Sequence, residues 1–276
     1  MNKNPDIPEK RSRGRPRAFN DKTEQNTIQS LDRALGLLSH LAEAPGLTLT
    51  ELAARFDQSP ATVYRALTTL ELHGMVELDP AAQTWHIGAG AFRVGSAFLR
   101  RTNLVERARP FMQRLMERTG ETANLGIRQG GQVIFLAQVE THRSIRAFFP
   151  PGTMSPLHAS GIGKALLAAM EDDAIRRLVR EAGLPGFTAN TLTGTERLLK
   201  DMALTRVRGF AIDDEERTGG MRCVAAPVRN AADDAVAGLS VSGPVDRVSE
   251  DRIAEISDLV RDAAHELSLA LGARPS

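Results

Sequence analysis

The segment His158-Ala159-Ser160-Gly161-Ile162-Gly163-Lys164 comes closest in this chain to an anion cradle. Small residues entering a helix leave backbone N–H groups free and pointing outward. Such an N-terminus favours an anion, and a carboxylate is the modest one that fits. The same Gly and Ser residues serve equally well as a cap and as close-packing residues. The segment is not a phosphate loop. That template needs Gly five residues before the Gly-Lys pair and Ser or Thr after it, whereas His158 and Ala165 stand at those places. Nucleophilic chemistry would need Cys223, the single cysteine, to meet His158 and Asp213 from far along the chain. Cys223 opens the apolar run CVAAPV, where a cysteine serves as a small buried residue. A Cys223-dependent hydrolase is therefore the minor alternative, and no catalytic residue is assigned. No His/Cys pair has metal-ligand spacing, and no cofactor is implied.

A different chemistry belongs to the residues after Ser59. Ala61, Thr62, Arg65 and Thr69 point away from an apolar stripe of Val63, Leu67 and Leu70, with Tyr64 beside them. Small residues at a helix start permit close approach to base edges, and Arg65 can reach guanine O6 and N7 bidentately. Ser59, Thr62 and Tyr64 can donate to phosphates. Nearer the N-terminus, Arg13-Gly14-Arg15-Pro16-Arg17 resembles an AT-hook core, in which an extended arm lays arginines into a narrow minor groove. A merely solvated basic tail is the equal alternative.

These side chains need elements to hold them. Ser30 can N-cap a helix whose apolar residues Leu31, Ala34, Leu35, Leu38 and Leu41 recur at helical spacing, ended by Pro45-Gly46. Thr48 and Glu51 have capping-box spacing and open a second helix. Ser59, with Pro60 at the first helical position, opens a third that stops at Gly74. Strand candidates at 75–78 and 84–87 complete a winged helix-turn-helix. A three-helix interaction module is the bland alternative, and the outer face of the third helix weighs against it. Residues 89–118 read as two connecting helices, the first apolar on more than one face. Beyond them, strand candidates at 123–128, 133–139, 145–149, 209–213, 223–228 and 236–241 alternate with helices at 163–170, 172–180, 196–208 and 250–271. Adjacent hairpins with helices inserted later indicate an α+β domain around an antiparallel sheet.

Composition bounds the reading without deciding it. The chain has 276 residues, a formal net charge of +1 and 42% apolar residues, ordinary for a two-domain chain able to bury a core. One cysteine excludes an internal disulfide framework and suits a reducing compartment. No apolar run approaches the ~18 residues of a membrane span, and the N-terminus has no apolar signal region, so a cytoplasmic protein with no membrane partner is expected. The charge is uneven: residues 1–22 carry +4, while the remainder is slightly acidic. A basic segment this poor in large apolar residues is expected to be disordered when free.

The run SLDRALGLLSHLAEAPGLTLTELAARFDQSPATVYRALTTLELHGMV resembles the DNA-binding domain of the IclR family of bacterial transcriptional regulators. The likeness continues through WHIGAGAFRVGSAFL, PLHASGIGKALLA, GFAIDDEERTGGMRCVAAPV and LSVSGPVDR, with the family's glyoxylate-shunt repressor as the nearest pattern. The basic tail at 1–27 lies outside the shared domains; the resemblance implies a winged helix at 28–88, a helical dimerisation linker at 89–102 and a GAF-like effector-binding domain at 103–276. It also implies a homodimer or dimer-of-dimers tetramer, acting as repressor or activator, that presents two recognition helices to an inverted-repeat operator in double-stranded DNA. In relatives that sense small oxo-acids, positions matching Gly161, Ile162, Asp213, Cys223, Ser240 and Ser242 line the effector pocket. Ala147, Ser144 and Ser155 are implied as smaller or more polar walls, with Met221 and Leu157 keeping some apolar lining. Glyoxylate is the first implied effector and pyruvate the second. An aromatic or sugar-derived acid in an enlarged pocket is the alternative.

Overall fold

The computed structural model describes residues 27–44 and 46–274. Arg13, Arg15 and Arg17 of the basic tail lie outside the described residues. The chain forms two compact units that divide between Phe98 and Leu99.

The first unit is built on α1 (Gln29–Glu43), α2 (Leu49–Arg55) and α3 (Pro60–Leu72), with strands β1 (Leu47–Thr48), β2 (Val76–Asp79) and β3 (Thr84–Ile87). The caps at α2 and α3 form as their spacing predicts. Thr48 accepts from the Glu51 N–H while Glu51 reaches back to the Thr48 N–H at 2.8 Å. Ser59 accepts from the Thr62 N–H, with Pro60 at the start of α3. At α1 the sequence expectation fails: Ile28, in extended conformation, is the cap residue, and Ser30 lies inside the helix. The neighbours decide which of its leucines face inward. Leu37 and Leu41 are buried, whereas Leu31 and Leu35 are 54% and 53% exposed. The core these helices share holds Leu37, Leu41, Leu52, Val63, Leu67, Val76 and Trp85. Trp85 sits on β3, the central strand of a small antiparallel sheet ordered β1-β3-β2, and so ties the hairpin to the helices. The two-residue β1 has no sequence signature.

Helix α4 (Ala89–Thr102) follows β3 directly. No Cβ fits at Gly90, where it would lie 2.5 Å from the Gly74 carbonyl oxygen, so the chain leaves the hairpin by passing tightly over the end of α3. Phe92 and Val94 on α4 are exposed, at 76% and 59%.

The second unit opens with α5 (Leu104–Thr119) and contains six strands: β4 (Thr122–Gln129), β5 (Gln132–Val139), β6 (Met154–Pro156), β7 (Ala211–Asp214), β8 (Met221–Arg229) and β9 (Ala235–Pro244). They form one antiparallel sheet ordered β6-β5-β4-β9-β8-β7. The sheet is covered on both faces. Against one face, α5 and α9 (Ile253–Ala270) pack Met112, Leu115, Ile256, Val260 and Leu267 onto Leu125, Val224, Ala226, Leu239 and Val241. Against the other lie α6 (Gly161–Ala168), α7 (Asp172–Ala182) and α8 (Thr195–Arg208), which bring Ile162, Leu166, Ile175, Leu198 and Met202 onto Val133, Phe135 and Ala225. Two expectations change here. The run 145–149 is not a strand: the Ala147 carbonyl accepts from the Thr122 hydroxyl and the Gln138 amide, both at 3.2 Å, and Ile145 and Phe148 are exposed. The short edge strand β6 is additional.

Candidate functional site

Strand alternation places a polar row on the α6 face of the sheet. Leu239 and Val241 point to the α5/α9 core, so Ser240 and Ser242 point the other way. Register then aligns their neighbours. Asp213 pairs with Cys223, Cys223 with Ser242, and Ser242 with Thr122; one row along, Ala225 pairs with Ser240 and Ser240 with Asn124. A polar band thus crosses four adjacent strands beneath the start of α6.

Helix α6 can lie this low because its first residues are small. A Cβ on Gly161 would stand 2.6 Å from the Cys223 sulfur, and one on Gly163 would stand 2.2 Å from the Leu157 carbonyl oxygen. The cap and close-packing reading of the HASGIGK segment is realised. Gly163 is a packing residue, and Ser160 caps the helix by accepting from the Gly163 N–H at 3.0 Å. At the first turn, N–H groups have no intrahelical acceptor; the Gly161 N–H faces the Cys223 sulfur, and Gly161 and Ile162 both line a cavity.

The cavity is small, about 20 Å³, and is lined by Gly161, Ile162, Asp213, Cys223, Ser240 and Ser242 together with Phe135, Phe149, Ser155, Ala159, Ser160 and Arg217. Six of the eight expected effector contacts are brought together. Ala147 and Met221 are not among them. Ala147 is buried in the loop described above, and Met221 begins β8 one register row beyond Cys223, opposite Pro244. Of the other expected walls, Ser155 lines the cavity, Leu157 belongs to the core beneath α6 and Ser144 is exposed. Sequence reasoning missed Phe135, Phe149 and Arg217. The two rings stack at 4.7 Å between centroids, and the paired phenylalanines of β5 and the following loop carry no motif.

Polar groups around the cavity have capacity to spare. Asn124 donates to the hydroxyl oxygens of Ser240 and Ser242 at 3.4 and 3.2 Å, and both hydroxyls face the Cys223 sulfur. Ser155 Oγ and Asn124 Oδ1 are buried without a hydrogen-bond partner, a state that native structures seldom leave unexplained. Asp213 accepts from the Glu216 N–H at 2.8 Å, yet burial pushes its carboxyl up to about 6. Burial likewise pushes the Cys223 thiol up to about 11, against the pull of Ser242, Ser240 and the Gly161 N–H. Such a cysteine is a neutral thiol near pH 7, not an activated nucleophile. His158 does not line the cavity; its Nε2 faces the Pro185 carbonyl at 3.0 Å. The Cys/His/Asp group is thus not assembled, and no metal-ligating cluster exists among the described residues.

Lys164 points inward, toward buried carboxyl groups of its own chain. It is 2% exposed, and its ammonium meets Glu216 at 2.5 Å, Asp201 at 2.7 Å and the Ile212 carbonyl at 2.6 Å. This buried network ties α6 to α8 and to the loop after β7. Burial pushes Glu216 up to about 7, despite the pull of Lys164.

On the first unit, Ser59, Ala61, Thr62, Tyr64, Arg65 and Thr69 share one exposed face of α3. Some of their hydroxyls are already engaged: Ser59 serves the cap and meets Thr62 Oγ1 at 2.9 Å, and Thr69 donates to the Arg65 carbonyl at 2.8 Å. The Arg65 guanidinium makes no ion pair or hydrogen bond among the described residues. Leu31, Arg33 and Ala34 of α1 flank this face and, with Thr62, Tyr64 and Arg65, wall an open groove of about 890 Å³.

A winged helix with an exposed third-helix face, carried in one chain with an α+β unit that encloses a polar cavity, fits a ligand-responsive DNA-binding regulator. Residues 30–80 match the IclR helix-turn-helix domain, and residues 96–269 match the bacterial transcriptional regulator IclR C-terminal domain. The HTH-type transcriptional regulator BhcR of Paracoccus denitrificans is 54% identical over 267 residues, 96% of either chain. The HTH-type transcriptional repressor AllR of Escherichia coli is 36% identical over 265 residues, 96% of this chain and 97% of that one. The crystal structure of Thermotoga maritima IclR has a TM-score of 0.70 at 29% identity, covering 89% of this chain and all of that one. The chain belongs to the IclR family of transcriptional regulators. The particular likeness to the glyoxylate-shunt repressor finds no support in these relatives. Among the described residues no helix is long and apolar enough to cross a membrane.

Proposed function

We propose that the cavity beneath α6 receives a small carboxylate, glyoxylate in the first place and pyruvate in the second, and that its occupancy changes operator affinity. The observation that carries this reading is the polar lining of Ser155, Ser240, Ser242 and Asp213 against the Gly161 and Ile162 amides. The amides suit carboxylate oxygens, at a helix N-terminus that favours negative charge. The serine hydroxyls suit an oxo or hydrated carbonyl, and Asp213 can accept from a gem-diol hydroxyl. Cavity size favours the small acids over an aromatic or sugar-derived one: a volume near 20 Å³ accommodates about one water, so any ligand must open it, and a two-carbon acid asks least.

DNA reading falls to Ala61, Thr62 and Arg65 at base edges, with Ser59, Tyr64, Thr69 and the arginines 13, 15 and 17 at phosphates or the minor groove. Exposed Phe92 and Val94 support α4 as a subunit contact in a homodimer or dimer of dimers. In such a dimer the effector domains would bias the spacing of two recognition helices on an inverted repeat, in the cytoplasm. The test is thermal unfolding of the purified protein with millimolar glyoxylate. Stabilisation that Asp213→Ala or Ser242→Ala abolishes supports the reading, and the absence of any shift contradicts it.

A further inference from the structure

An anion entering this cavity meets an electrostatic problem. Asp213 lines it, and a helix N-terminus offers only about half a positive charge. Lys164, the nearby buried cation, is committed to Glu216, Asp201 and the Ile212 carbonyl. The half-buried arginines of the surrounding elements are committed as well: Arg222 to Asp214, Arg208 to Asp201 and Arg247 to Glu121. Of the residues that line the cavity only Arg217 is basic, and it makes no ion pair among the described residues.

Its guanidinium is nonetheless held. It lies over the Phe187 ring, 4.0 Å from the centroid, a cation–π contact. The His158 ring also lies near Phe187, with 6.1 Å between centroids. The two segments that carry the pair are tied together. Thr188 donates to the Glu215 carbonyl at 2.7 Å, and Thr191 donates to the Glu216 carbonyl at 2.6 Å. An arginine positioned before its partner arrives loses less freedom on binding.

Resting on the carboxylate reading above, we propose that Arg217 is the specificity-determining cation of the cavity, supplying the counter-charge to the effector carboxylate, with Phe187 as its positioning residue. Arg217 makes the site select anions over neutral carbonyl compounds of the same size. Its planar fork matches a carboxylate bidentately, which an ammonium does not.

Calorimetric titration of the full-length protein tests this, with glyoxylate as the anionic probe and glycolaldehyde as its uncharged counterpart. Arg217→Gln is expected to weaken glyoxylate binding about 10- to 100-fold, to flatten the dependence of Kd on salt, and to leave glycolaldehyde unaffected. Arg217→Lys should keep the salt dependence and part of the affinity, and Phe187→Leu should lose less than Arg217→Gln. Wild-type affinity and salt dependence in Arg217→Gln overturn the assignment while leaving the carboxylate reading intact. An equal loss for glycolaldehyde, or a lower melting temperature of the unliganded variant, shows a structural role and also overturns it. A wild-type protein that binds neither glyoxylate nor pyruvate overturns the carboxylate reading itself.

Discussion

Gly161 stands against Cys223 so closely that a Cβ at position 161 would lie 2.6 Å from the thiol sulfur. The contact sets the height of α6 above the sheet, and with it the size of the cavity between them. The residue that lets the helix approach is also one that lines the cavity.

Gly161→Ala should therefore destabilise the protein by about 1–3 kcal/mol, the usual cost of overpacking a close contact. Urea unfolding measures it. Combining it with Cys223→Ala removes the obstructing sulfur, so the double variant should recover much of the loss. Strict additivity of the two single effects would show that the contact is not what limits position 161.

Stability should also depend on pH in a definite direction. Asp213 rises from 3.8 to about 6 and Glu216 from 4.5 to about 7, both through burial. Between about pH 4 and 7 the native state then holds protons that the unfolded chain has released, so the stability these two groups contribute is full below about pH 4 and is lost as pH rises through 6 to 7. Asp213→Asn keeps an acceptor for the Glu216 N–H but cannot ionise. Its unfolding midpoint should vary less between pH 4 and 6.5 than that of the wild type; an unchanged profile would remove Asp213 from the titration.

DNA affinity should separate into two parts. Arg65→Ala should cost about 1–3 kcal/mol on the preferred duplex and far less on random DNA, because a base-edge contact carries sequence information. Removing residues 1–19, which carry most of the basic excess, should weaken binding to every duplex and flatten its salt dependence while largely preserving site preference. Anisotropy titrations at several salt concentrations distinguish the two. An unchanged salt slope would leave the tail without a role in binding.

Local signals were legible where chemistry is local. The capping box at Thr48 and Glu51, the Ser59-Pro60 start of α3 and the alternation of β8 and β9 all declare themselves over a few residues. The inner face of α1 was not, because its leucines occupy more than one side at helical spacing, and only the neighbours decide that Leu37 is buried and Leu31 is not. The run 145–149 has strand composition, but side chains of β4 and β5 take up its Ala147 carbonyl. Of the cavity, Gly161, Ile162, Asp213, Cys223, Ser240 and Ser242 followed from the family resemblance. Arg217 did not: it comes from a loop, and what marks it is the absence of a carboxylate partner, a property of three-dimensional neighbours.

The central claim is that occupancy of the α6 cavity changes DNA binding. It is tested most directly by the affinity of the full-length protein for a duplex it has itself selected from random sequence, measured with and without saturating glyoxylate. A coupling of ordinary size predicts a shift of about 5- to 150-fold, lost in Ser242→Ala. Glyoxylate binding with no change in DNA affinity would contradict the account.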